Sequence, residues 1–215
     1  MLHKVTNSAL VENGIVVGTG AKYNSCNPLK RYLIEAFDCQ IAELVQKIAP
    51  KTISEIGCGE GHVSQILLNS CPDAHIKCTD ISDAILDIAR ANCASSRISF
   101  YNRSIYDLSE KVDSAELVVC CEVLEHLENP YQALGQLANV ASPYCLMSVP
   151  REPIFRTLNF LRGANIQYFG NDPGHVQHWA RKSFLEFVSS EFEILEVRSP
   201  LPWTVVLGKT RRNVK

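Results

Sequence analysis

The sequence predicts an α/β fold: a mostly parallel seven-stranded sheet with helices on both faces and an antiparallel strand pair at its C-terminal end. Three observations carry this expectation. Strand-like segments alternate with segments of helical periodicity up to about residue 149, the pattern of a parallel sheet joined by right-handed crossovers. The run Glu116–Cys121 is almost wholly apolar, as a central strand buried on both faces must be. Two late strand-like runs, 192–197 and 203–207, are separated only by Ser199-Pro200-Leu201-Pro202, too short a link for anything but antiparallel pairing.

Taken in order, residues 1–28 carry glycines and one β-branched run, Ile15-Val16-Val17. They are expected to form a hairpin, an arm or a lid, ahead of a single domain at 29–215. Asn27-Pro28 reads as a helix start. The apolar residues Leu33, Phe37, Ile41, Leu44 and Ile48 then recur at helical spacing until Ala49-Pro50. Thr52–Ile56 alternates as a first strand and runs into Gly57-Cys58-Gly59-Glu60-Gly61, with glycine at every second position. A backbone turning sharply from strand to helix needs positive φ, and a Cβ would block a ligand pressed against the chain. Val63, Ile66 and Leu67 continue as a helix. Ala74–Thr79 is a second strand closing on Asp80, and Ser82 caps a helix with Ile85, Ile88 and Ala89 inward. Arg97–Tyr101 is a third strand and Glu116–Cys121 the fourth. A helix capped at Asn129-Pro130 buries Leu134 and Leu137, and Tyr144–Val149 is the fifth strand. The alternation breaks at 151–179, which reads as an insertion with one short helix near Ile154–Leu161. A helix at 182–189 and the late strand pair complete the chain.

The bulk numbers describe an ordinary globule of 215 residues, 46% of them hydrophobic. The formal net charge of −2 offers no broad cationic face, so nucleic acid is disfavoured as a partner. The N-terminal residues lack the apolar core of a signal peptide and no run reaches membrane-spanning length, so a cytoplasmic protein is expected. The nine cysteines contain no Cys-x-x-Cys pair, and several fall in expected strands or helices. They are expected to be buried thiols rather than disulfides or a structural zinc site.

The glycine turn followed by an acid at the end of the next strand suits a nucleotide-sized ligand lying outside the carboxyl ends of the strands. A carboxylate offers two acceptor oxygens to a ribose, and Asp80 is placed for it. The same residues would serve a nicotinamide dinucleotide, although dinucleotide dehydrogenases generally lack the antiparallel ending.

Five parallel strands with a late antiparallel pair, the segment Glu55-Ile56-Gly57-Cys58-Gly59-Glu60-Gly61 and the segment Glu122-Val123-Leu124-Glu125-His126-Leu127 after the fourth strand resemble the class I S-adenosylmethionine-dependent methyltransferases. Within these the chain is most similar to the small-molecule group that includes the ubiquinone-pathway O-methyltransferases. The resemblance covers roughly residues 30–208 and implies a Rossmann-like fold with S-adenosylmethionine as cofactor. By it, Gly57, Cys58 and Gly59 lie against the amino-acid end of the cofactor, with Glu55 anchoring the ammonium through the turn or through water. Asp80 takes the ribose hydroxyls, and Ile81 beside it is a further cofactor-binding residue. Ser104 and Ile105 line the adenine pocket, at a place where the family often has an acid. Cys121 and Glu122 meet the methionine end, and Tyr23, in Lys22-Tyr23-Asn24, belongs to a segment that folds over the cofactor in related enzymes.

Glu122, Glu125 and His126 are spaced i, i+3 and i+4, so a helix starting there would gather them on one face. Similar Glu-x-x-Glu-His segments bind metal in the ubiquinone-pathway enzymes and in methyltransferases of small-RNA ribose. The candidate metal ligands are therefore Glu122, Glu125, His126 and His175, for a divalent ion such as Mg; His178 is a further histidine of the same insertion. A metal-free alternative gives His126 or His175, with Glu122, the catalytic role of taking a hydroxyl proton. The acids could also simply cap a helix. The insertion, with Phe155, Phe160, Tyr168, Phe169, Trp179 and the cations Arg151, Arg156 and Arg162, is expected either to wall an acceptor pocket or to pack onto the sheet. The expected reaction is methyl transfer to a small-molecule hydroxyl. The alternatives are metal-dependent ribose 2′-O-methylation of RNA and a non-catalytic cofactor-binding subunit.

Overall fold

The computed structural model describes residues 2–4, 10–12, 15–18, 27–161, 166–172 and 174–212. Three short strands, β1 (Leu2–Lys4), β2 (Leu10–Glu12) and β3 (Ile15–Gly18), form an antiparallel sheet of their own in that order. Helix α1 (Pro28–Ile48) begins where the sequence puts it: the Asn27 side chain accepts hydrogen bonds from the Leu29 and Lys30 backbone N–H groups, and Pro28 opens the first turn. Its buried stripe is Ile34, Phe37, Ile41, Leu44 and Val45; the expected Leu33 and Ile48 flank it half-buried. Ala49 ends it in the left-handed region at φ 48°.

The main body then alternates: β4 (Thr52–Ile56), α2 (His62–Ser70), β5 (His75–Asp80), α3 (Asp83–Asn92), β6 (Ile98–Asn102), the single turn α4 (Glu110–Asp113), β7 (Ala115–Cys121), α5 (Pro130–Val140), β8 (Ala141–Pro150), α6 (Ile154–Leu161), α7 (Arg181–Val188), β9 (Phe192–Arg198) and β10 (Trp203–Thr210). The sheet order is β6-β5-β4-β7-β8-β10-β9. β4 to β8 are mutually parallel, and β10 runs antiparallel between β8 and β9. The chain winds outward from β4 to β6, then returns to place β7 on the other side of β4. The order reverses there, which opens a crevice at the carboxyl ends of β4 and β7.

β7 shows why the sheet holds two cores. Leu117 and Val119 pack with α1, α2 and α3, and Val118 and Cys120 with α5 and α7, so a strand without polar alternation is satisfied on both faces. Cys120 and Cys121 fall on opposite faces as expected. All described cysteines are free; Cys58, Cys71, Cys78, Cys93, Cys120 and Cys145 are buried. In α3 the buried residues are Ile85, Leu86 and Ala89, Leu86 taking the place expected for Ile88. Among the described residues no helix is long and apolar enough to cross a membrane.

Candidate functional site

The glycine turn is pinned to the end of β5. Gly57 and Cys58 donate their N–H groups to the Thr79 carbonyl at 2.8 and 3.0 Å. Asp80 closes the turn from below: one carboxylate oxygen accepts from Gly59 N at 3.0 Å and the other from Ser82 N at 3.1 Å. Gly57, Gly59 and Gly61 all lie at positive φ, 73°, 54° and 88°, yet they are glycines for different reasons. A Cβ on Gly57 would stand 2.4 Å from Val123 Cγ2, and one on Gly61 would stand 2.8 Å from Cys93 Sγ. On Gly59 it would meet nothing within 4 Å. The first and third glycines are thus required by the protein's own packing. Only Gly59 turns an open face outward, a cradle of the kind a closely approaching ligand needs.

Glu55 is turned inward, 3% exposed, with Oε2 accepting from Ser64 Oγ at 2.5 Å and from Cys78 Sγ at 3.2 Å. Burial raises its pKa from 4.5 to about 7, against the lowering effect of the Ser64 and Cys78 hydrogen bonds and with a further rise from the Asp80 charge. Glu55 is therefore held inside the protein by Ser64 and Cys78. Cys58 is buried within the turn. The Cys78 hydrogen bond lowers its thiol pKa, but burial, Glu55 and Asp80 outweigh it and the net shift is upward.

Along the crevice, Ser104 Oγ accepts from Tyr106 N at 3.2 Å and caps a 3-10 turn at Ile105–Asp107. Ile105 is buried in the α5-side core while Ile81 is exposed beside Asp80, so of the two isoleucines Ile81 alone presents a substantial surface. Cys121, the last residue of β7, lies opposite Ser148 in the ladder. Burial drives its thiol well above the usual range, the Ser148 hydrogen bond opposing it. Tyr23 lies outside the described residues.

The segment after β7 departs from expectation. No helix begins at Glu122; that residue sits at φ 59°, Leu124–His126 forms a 3-10 turn, and α5 starts only at Pro130. The i, i+3, i+4 face therefore does not form. Glu122 swings toward the sheet, accepting from Ser148 Oγ at 3.0 Å and from Trp203 Nε1 at 2.6 Å. Among the described residues it is not one of the groups that cluster closely enough to hold a metal ion. Those are Glu125, His126 and His175, whose candidate ligand atoms all lie within 4.8 Å of one another. Glu125 is 1% exposed, with Oε1 4.0 Å from His126 Nε2. The rings of His126 and His175 meet edge to face at 5.0 Å, and Phe155 lies 5.2 Å from His175.

The insertion closes this cluster. The Glu125 carbonyl accepts from Val176 N and Gln177 N at 2.8 and 2.9 Å, and Gln177 Nε2 donates to the Leu127 carbonyl. His126 Nδ1 lies 2.8 Å from the Gly174 carbonyl. A carbonyl only accepts, so Nδ1 carries the proton and the neutral ring keeps its lone pair on Nε2, toward Glu125. His178 stands apart from the cluster, its Nδ1 3.9 Å from Glu152 Oε1. The insertion's aromatics divide: Phe155 and Trp179 pack, the latter on Phe184 and Phe187, while Phe160, Tyr168 and Phe169 are exposed. Sequence reasoning passed over Ser64, Val123, Ser148 and Trp203. Val123 lies within the Glu122–Leu127 segment but matters through Gly57; Ser148 and Trp203 reach Glu122 from far along the chain, and Ser64 reaches Glu55 from nine residues on.

Residues 53–144 match the family model described as a methyltransferase domain. The chain is 33% identical over 96 residues to the ubiquinone biosynthesis O-methyltransferase of Hahella chejuensis, covering 43% of this chain and 40% of that protein. It is 30% identical over 105 residues to the malonyl-[acyl-carrier protein] O-methyltransferase of Halalkalibacterium halodurans, covering 47% and 39%. The matched segment thus spans less than half the length of these curated relatives. Among solved structures, the magnesium protoporphyrin IX methyltransferase of Synechocystis PCC 6803 with bound SAH superposes with a TM-score of 0.66 at 15% identity, over 86% of this chain and 89% of that one.

Proposed function

We infer the activity of this chain from its place, by fold and by the match of residues 53–144, among the class I S-adenosylmethionine-dependent methyltransferases: it transfers a methyl group to a hydroxyl oxygen of a small-molecule acceptor. The observation that carries this reading is Gly59, whose face is open while its N–H is held by Asp80. That geometry fits the cofactor. Gly59 admits its amino-acid end, and the Asp80 oxygens, each with a second lone pair, accept from its ribose. Ile81 and Ser104 flank the base, and Cys121 borders the methionine end. Residues 1–28, Tyr23 among them, would cover the bound cofactor, and the 151–179 insertion would wall the acceptor pocket.

S-Adenosylmethionine, when bound, supplies a methyl already activated on a sulfonium, so the chain must provide alignment and a proton acceptor. Among the described groups, His126 Nε2 is suited to take the acceptor's hydroxyl proton, since Gly174 fixes its tautomer. His175 stands beside it, and Glu125 would stabilise the imidazolium that results. Glu122 acts from behind, by holding the turn after β7.

The compactness of Glu125, His126 and His175 favours a second reading of this corner, in which the three hold a divalent metal and the metal lowers the hydroxyl pKa. Two imidazoles and one carboxylate suit a nitrogen-tolerant ion such as zinc or manganese better than Mg. An RNA ribose is the other acceptor such a site would serve.

The test is calorimetric titration with S-adenosylmethionine, followed by assay of S-adenosylhomocysteine release over hydroxylated small molecules and RNA, with and without a chelator. Binding by the wild type that is lost in Asp80→Ala, with turnover on phenolic or alcoholic acceptors, is expected. No cofactor binding, or equal binding by Asp80→Ala, would sink the proposal. Turnover abolished by chelator selects the metal reading, and turnover on RNA alone selects the ribose acceptor.

A further inference from the structure

Arg151 is the first residue after β8. Its backbone is fixed on both sides: its N–H donates to the Pro202 carbonyl at 2.8 Å, its carbonyl accepts from Phe155 N at 3.0 Å, and it forms a parallel bridge with Trp179. Bridged residues project to the same side of a sheet. Arg151 therefore shares the side of Trp179, whose ring lies on Phe184 and Phe187. Its Nε is buried with no hydrogen-bond partner among the described residues. No described carboxylate lies within ion-pair distance, whereas Arg103, Arg198 and Arg212 each have one. A buried guanidinium nitrogen without an acceptor is costly, and a planar fork of donors matches a carboxylate or phosphate.

Its position indicates what would answer it. Arg151 stands three residues beyond the Cys121–Ser148 pair, roughly 10 Å of strand, at the carboxyl edge where the acceptor must lie. One helical turn on, Phe155 rests against His175, so the arginine and the candidate base belong to one wall.

We propose that Arg151 is the oxyanion anchor of the acceptor pocket, so that the acceptor is a small hydroxy acid with its hydroxyl toward His126 and its carboxylate or phosphate on the guanidinium. This identification of the acceptor class rests on the methyl-transfer reading above. The oxyanion contact itself does not, and it can be measured alone.

The experiment titrates the full chain, with and without S-adenosylhomocysteine, against 3-hydroxybenzoate and phenyl phosphate and their uncharged counterparts 3-hydroxybenzamide and phenol. Wild type should bind at least one oxyanion ten-fold or more tighter than its neutral counterpart, and the preferred one tells carboxylate from phosphate. Arg151→Met should erase that preference, leave the neutral ligands unchanged and melt no lower than wild type, because it removes a buried donor without a partner. Arg151→Lys should keep part of the preference. The proposal is overturned if neither oxyanion binds at millimolar concentration, if charged and neutral ligands bind alike, or if Arg151→Met melts well below wild type, which would make the guanidinium structural. Oxyanion binding in a chain that takes no S-adenosylmethionine would defeat the methyl-transfer reading and leave Arg151 as an anion site.

Discussion

On the β4–β5 side of the crevice the polar groups are answered close by in the chain: Glu55 by Ser64 nine residues on, and Gly59 by Asp80 at a separation of 21. On the β7–β8 side Glu122 finds Trp203 at a separation of 81, and His126 finds Gly174 at 48. The first half is a turn and two strand ends that any chain with this local pattern builds. The second exists only once the insertion and β10 have docked. We read this as a division of labour, with cofactor binding assigned to the local half and acceptor chemistry to the assembled one. The β4–β5 half should then tolerate changes in the insertion, while the other half depends on it.

The largest effect should fall where a single side chain serves both the turn and the ligand. Asp80→Ala removes the acceptor of two backbone N–H groups and of any ribose. With charge-assisted hydrogen bonds contributing about 1.5–3 kcal/mol each, affinity for S-adenosylmethionine should drop by about 100-fold or more. Glu125→Ala should leave that affinity within about three-fold, since the residue belongs to the other half, and abolish turnover. Calorimetry on the two variants decides it: comparable losses of cofactor affinity would mean that the two halves are one site.

Two buried acids at neighbouring strand ends give the next contrast. Asp80 accepts from the backbone N–H groups of Gly59 and Ser82, whereas Glu55 sits deeper and has its pKa raised to about 7 by burial. Between the unfolded value near 4.5 and about 7, the folded chain binds the proton that the unfolded chain has released. Glu55 therefore contributes stability that is fully present below about pH 4.5 and is lost as pH rises through 7, on the order of 3 kcal/mol. Denaturant unfolding from pH 5 to 8 should show this decline superimposed on the contributions of other groups. Glu55→Gln should flatten that component, and a variant with the wild-type slope would remove Glu55 as its source.

The same contrast explains what could be read from the sequence. The alternation of strands and helices, the α1 start, Asp80 at the end of the second strand and the antiparallel ending follow from local periodicity and spacing, and all are found in place. The helix face is the exception: spacing alone puts Glu122 on it with His126, and no helix begins at Glu122. Its φ of 59° is set by tertiary contacts with Ser148 and Trp203, which no local pattern encodes. The resemblance has Glu55 acting through the turn or through water, and the inward turn of its side chain depends on Ser64 being buried on α2. The glycines are expected both for positive φ and for the close approach of a ligand: all three lie at positive φ, while packing against Val123 and Cys93, which no local pattern encodes, further constrains Gly57 and Gly61.

Gly57 is also where the two halves touch, since Val123 belongs to the turn that Glu122 holds. Gly57→Ala combines left-handed strain with a Cβ 2.4 Å from Val123 Cγ2 and should destabilise the chain by about 2–4 kcal/mol. Gly59→Ala, at φ 54° with nothing within 4 Å, meets only the strain and should cost about 1–2 kcal/mol, yet weaken cofactor binding because its methyl occupies the open face. Adding Val123→Ala to Gly57→Ala relieves the overlap and leaves the strain, so the double variant should be less destabilised than the sum of its single changes predicts. Unfolding free energies of the wild type, Gly57→Ala, Val123→Ala and the double variant measure that coupling. Strict additivity would show that Val123 does not press on Gly57, and that the local half stands free of the assembled one.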